Sequence, residues 1–188
     1  MSQASAYSNA PQQLDVRAFA SAGEHLNGAN LLLNYERLAH DLYGNAIDLT
    51  SKTCSWTARG ELQTPLGGKP QVWLHISAHA HAPMTCQRCL AAFDMPLRLE
   101  RSFRFVADEA TAMAQDDDCE EDLLVLEKIL NLHELIEDEL ILALPVVPKH
   151  DVCPTPVKLA SSDEEFKAAL TQKPNAFAAL GSLKKTSL

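Results

Sequence analysis

The sequence predicts an α+β fold: an antiparallel β-sheet with a few packed helices and flexible termini. Two observations carry this. Between residues 46 and 106 apolar side chains recur with a period of two, interrupted by a turn cluster, "TPLGGKP", at 64–70. At 131–144, "NLHELIEDELILAL", the period becomes helical, behind an asparagine and ahead of Pro145.

Taken in order, residues 1–13 are small and polar and read as a disordered leader. Residues 14–30 place Leu14, Phe19 and Leu26 ahead of a Gly/Asn run and read as a short helix or turn. In 31–44 Asn34 suits an N-cap and Gly44 a C-cap, with Leu38 and Leu42 on one helical face. "AIDLT" and "CSWTARGELQ" then read as strands. In "QVWLHISAHAH", Val72, Leu74, Ile76, Ala78 and Ala80 alternate with Trp73, His75, Ser77, His79 and His81, which is a half-buried strand. In "PLRLERSFRFVA" Leu97, Leu99, Phe103 and Phe105 share a face. The pair of cysteines in "MTCQRCL" therefore lies at the turn between two antiparallel strands.

Residues 108–122 read as a mobile acidic loop, and "LLVLEK" as one more short strand. On the 131–144 helix, Asn131 and Glu134 form a capping-box pattern. These elements make one domain over about 14–157, followed by a flexible tail, 158–188, with a single apolar patch, "NAFAAL".

A formal net charge of −9 argues against indiscriminate nucleic-acid binding, which needs a basic field. The charge is uneven. Residues 107–145 hold thirteen acids against one lysine, a net −12, whereas 71–106 hold four arginines against two acids, a net +2. The five cysteines have no framework spacing, and neither a secretory signal nor a membrane-length apolar run is visible. The expectation is a protein of a reducing cytoplasm, with thiols free or metal-bound.

Cys86 and Cys89 read first as an architectural clasp on the hairpin turn. The second reading is a zinc half-site, completed by His150 and Cys153 of "KHDVC" as a Cys3His set. Redox chemistry of the thioredoxin kind fits poorly, because that cysteine pair opens a helix in a βαβ unit and the flanks here are strands. His75, His79 and His81 share a strand face with Trp73; the plain reading is a solvated face, although a metal shared by His79 and His81 is sterically allowed. Trp73 and the histidines could also stack on unpaired bases, with Arg88, Arg98 and Arg104 meeting phosphates.

Two charges interrupt apolar patterns. Arg101 sits in the register of Leu97, Leu99, Phe103 and Phe105, and Glu139 falls within the apolar arc Leu132, Leu135, Ile136, Leu140, Leu142 and Ala143. Because an unpaired buried charge is costly, the two are expected to meet where helix packs on sheet. No nucleophile elbow, P-loop or dinucleotide fingerprint is present, which argues against an enzyme.

Three segments, "CQRCL" after a strand, "HELIEDELILALPVVPKHDVC" at 133–153 and "KPNAFAALGSLKK" near the end, together resemble the YceD family of large ribosomal RNA subunit accumulation proteins. The resemblance runs roughly from Leu14 to Lys185, with Ala176 where the family usually has proline. It implies a non-enzymatic role in synthesis, processing or stability of 23S ribosomal RNA in a bacterial cytoplasm. The expected partner is that RNA or a large-subunit precursor particle. The alternative is an adaptor that holds a basic ribosomal protein through its acidic helix and loop, without touching RNA. Some relatives carry further cysteines after "LALP"; here only Cys153 stands there.

Overall fold

The computed structural model describes residues 10–43, 49–155 and 160–172. Contacts divide the chain into two units, Met1–Asp151 and Val152–Leu188. In the first, five strands lie side by side in chain order: β1 (His25–Leu31), β2 (Thr53–Gln63), β3 (Gln71–Thr85), β4 (Ala92–Val106) and β5 (Asp122–Val125). The first four form an antiparallel meander, and β5 runs parallel to β4. The fold is α+β, with the predicted antiparallel sheet extended by one parallel edge strand.

β3 and β4 are long because their alternation persists, in β3 from Val72 to Ala82 and in β4 with Arg101 as its one interruption before Phe103. Val72, Leu74, Ile76, Ala78, Ala80 and Ala82 all point into the core. That inner face is covered by helices α1 (Val16–Ala22), α2 (Glu36–Tyr43) and α4 (Leu132–Leu142). Asp15 caps α1 by accepting from Ala18 N–H, and Gly23 closes it in the left-handed region at φ 62°. Gly60 of β2 lets α1 approach: a Cβ there would stand 2.6 Å from the Phe19 ring and 2.8 Å from the Ala20 backbone. Asn131 caps α4, accepting from His133 and Glu134 N–H, and the helix ends before Pro145, as expected. Leu132, Ile136 and Leu140 are fully buried, whereas Leu142, placed in the apolar arc by the sequence, is exposed at the last turn.

Other differences concern weakly patterned segments. Residues 25–31 form an edge strand, read from sequence only as the end of a helix or turn. Asn34 closes a 3-10 turn rather than capping α2. Leu49 and Thr50 are not strand, the rest of "AIDLT" lying outside the described residues. The acidic run is ordered into α3 (Glu109–Gln115) and a 3-10 turn at Asp116–Asp118. Pro11 of the leader accepts through its C=O from Leu132 N–H at 2.7 Å, and Leu14, the first residue after the leader, bridges to Leu130. Residues 1–9, Gly44 and the patch "NAFAAL" lie outside the described residues.

In the second unit, part of the expected tail forms α5 (Glu164–Gln172), where Asp163 accepts from Phe166 N–H at 2.6 Å. Among the described residues, no helix is long and apolar enough to cross a membrane.

Candidate metal centre and the adjoining strand face

β3 delivers the chain to Cys86 and β4 takes it away from Ala92, so the cysteine pair sits in a six-residue knuckle, 86–91. Cys86 N–H donates to Ala91 C=O at 2.9 Å, and Leu90 N–H donates to Cys86 C=O at 2.8 Å. Closing so tight a loop puts Leu90 at φ 60°, the left-handed region that a branched side chain adopts at some cost.

The segment after α4 is strapped across this knuckle. Gln87 N–H donates to Pro148 C=O at 2.8 Å, and Arg88 donates through Nη2 to the carbonyls of His150 (2.8 Å) and Asp151 (3.3 Å). His150 N–H points at Cys86 Sγ at 3.5 Å, and its Nδ1 is 3.4 Å from Cys89 Sγ. The Phe93 ring lies against the imidazole, centroids 4.6 Å apart. Sequence reasoning did not find this strap; the proline-bracketed "PVVPKH" spacing, rigid and ending in a ligand residue, was its only signal.

Cys153 follows three residues after His150, so the covalent chain alone keeps it within about 11 Å. The ligand atoms of Cys86, Cys89, His150 and Cys153 all lie within 4.8 Å of one another. A tetrahedral ion with metal–sulfur bonds of about 2.3 Å needs its ligand atoms roughly 3.5–4 Å apart, so the set fits with a small contraction.

The electrostatics also fit. Burial alone would raise the Cys86 thiol, but backbone N–H groups of His150, Cys89 and Arg88 directed at the sulfur bring it down to about 5. Cys54 shows the opposite case, where burial in the core pushes the thiol up to about 11. None of the five cysteines is in a disulfide. The four predicted ligands are thus brought together into a Cys3His group that could hold a metal ion.

The strand face predicted to be cationic is more mixed. Trp73, His75, His79, His81, Arg98 and Arg104 do fall on the face of β3 and β4 away from the core, with Trp73 opposite Arg104 and His79 opposite Arg98. Arg104 is withdrawn, however: it is 8% exposed, and its guanidinium donates to Glu121 and, at 2.9 Å, to Gln115 of the acidic segment. Trp73 is half-buried beside His75, centroids 6.0 Å apart. His75 spans Ser102 Oγ (2.8 Å) and Glu61 (3.1 Å). Arg88 serves the knuckle. His79, His81 and Arg98 are left exposed, alongside Glu100. The three arginines therefore do not share one exposed plane.

The predicted pairing of Arg101 with Glu139 is present: Arg101 Nε donates to Glu139 at 2.8 Å, the carboxylate buried and the guanidinium half-exposed at the rim.

A family model described as large ribosomal RNA subunit accumulation protein YceD matches residues 74–184. The match begins on β3 and takes in the knuckle, α4 and the ligands His150 and Cys153; residues 14–73, included in the resemblance, fall outside it. No solved structure matches the chain. The knuckle, its strap and the capped helix all lie inside the matched span, and the chain belongs to the YceD family, whose name ties it to accumulation of the large ribosomal subunit RNA.

Proposed function

We propose that this chain is a non-enzymatic, cytoplasmic ribosome-biogenesis factor. It supports synthesis, processing or stability of 23S ribosomal RNA by contacting that RNA in a large-subunit precursor. The observation that carries the contact is the register pair His79 and Arg98, exposed side by side on the hairpin that ends in the cysteine knuckle. Imidazoles at 79 and 81 can stack on or hydrogen-bond to unpaired bases, and Arg98 has no ion pair among the described residues and is open to a phosphate.

Zinc is the ion that the Cys3His set suits best. Four protein ligands leave no open position for a reacting water, which supports a structural role: the ion would pin the strap to the hairpin end.

Crosslinking to RNA in precursor particles tests the contact. His79→Glu with Arg98→Glu should abolish RNA adducts while the protein stays folded; undiminished adducts would overturn this face. Depletion should lower 23S selectively over 16S. Metal analysis should find one zinc per chain, lost in Cys89→Ser.

A further inference from the structure

β5 is an edge strand: β4 lies on one side, and no strand lies on the other among the described residues. A groove of about 660 Å³ runs past it. Three consecutive residues of β5, Leu123, Leu124 and Val125, line this groove. Side chains of a strand alternate between faces, so a consecutive lining means that the groove follows the strand's edge. Ile129, Leu130 and Leu135 add apolar surface, and Ile129 is half exposed. The rim carries Glu109, Glu127, Glu134 and Asp138 and no lysine or arginine. Asp138 is held by Arg37, while the other three carboxylates have no ion pair among the described residues.

An unpaired strand edge beside apolar surface is a template for an added strand. Its surroundings decide which strand. A second copy of this chain would bring acid onto acid, since the segment 107–145 is net −12. Charge complementarity selects a basic segment instead.

We propose that the groove takes an extended, lysine- and arginine-rich segment of a partner protein, which pairs with the outer edge of β5 and seats apolar side chains beside Ile129 and Leu135. Its basic residues meet Glu109, Glu127 and Glu134. The site stands apart from the RNA face, and it gives the adaptor reading a definite place on the molecule.

The test uses the full chain and a labelled twelve-residue peptide alternating lysine or arginine with valine, followed by fluorescence anisotropy. Binding should weaken about tenfold or more when serine replaces valine, and again when alternate peptide nitrogens are methylated so that one edge cannot pair. Glu127→Lys with Glu134→Gln should weaken it similarly, with an unchanged circular dichroism spectrum. Amide signals of 122–126 should shift on titration. Equal binding by the serine or methylated peptide would reduce the effect to bulk charge and overturn the proposal. So would binding seen only in a chain truncated after Gln172, which would make the protein's own lysine-containing tail the occupant. No RNA enters the assay, so its failure leaves the hairpin contact untouched.

Discussion

Glu137 is a buried carboxylate with four donors. It accepts from the backbone N–H groups of Arg37 (2.7 Å) and Leu38 (3.2 Å), and from Arg37 Nε and Nη2 at 3.1 and 3.0 Å. It thereby caps α2 from another helix, the place that sequence spacing had assigned to Asn34. Glu137→Ala should cost about 2–4 kcal/mol in urea denaturation, because the first-turn donors lose their acceptor. A change below about 0.5 kcal/mol would contradict that role. Arg101→Ala should cost about 1–3 kcal/mol, more than Glu139→Gln, since it strands a buried carboxylate whereas the reverse leaves a half-exposed guanidinium. The Arg101–Glu139 pair was legible because each residue breaks a periodic pattern. Glu137 was not, because three acids in a row at 137–139 look alike until the backbone 100 residues upstream is in place. Arg104 was misread for a related reason: alternation gives the face of a residue, not what later folds over that face.

At the scale of elements, long periodic segments were legible and short ones were not. β3, β4 and α4 were found because their patterns persist over several turns or pleats. β1, "HLNGANL", carries a glycine and two asparagines and is held as a strand by its ladder to β2. α3 lies in a run of acids, yet Asp108 caps it by accepting from Thr111 N–H at 2.8 Å. The two halves of the candidate metal centre were also legible as ligand types, although the strap joining them is tertiary. Gly60→Ala should lower stability by about 1–3 kcal/mol, because the backbone of α1 stands where the new methyl must go; an unchanged midpoint would show that α1 can lift off. Chelation, or Cys89→Ser, should lower the melting temperature by about 5 °C or more. Amide exchange should rise in 84–93 and 146–151 and stay constant in β1 and β2. Uniform loosening would make the ion a global determinant rather than a local pin.

For the molecule, the relevant quantity is how its charge is placed. The sequence balance of +2 against −12 suggested a cationic ribbon, but the acidic segment reaches across to Arg104 and neutralises part of it. With Arg98 and two imidazoles remaining, the proposed RNA contact should depend weakly on salt, with a log–log slope between about −1 and −2. A slope near −5 would require a basic surface elsewhere.

The chain-order meander also bears on how the protein is made. Strands β1 to β4 emerge from the ribosome in the order in which they pair, each beside the one before. Helices α1 and α2 are made before β2, but α4, the third helix on the apolar side, is completed only 36 residues after β4 ends, a delay of about 2–7 s at ordinary elongation rates. During that interval the part of the nascent sheet's underside that α4 covers stays wet and sticky. A chain halted at residue 130 should therefore accumulate in the pellet, and adding back residues 131–144 should restore its solubility.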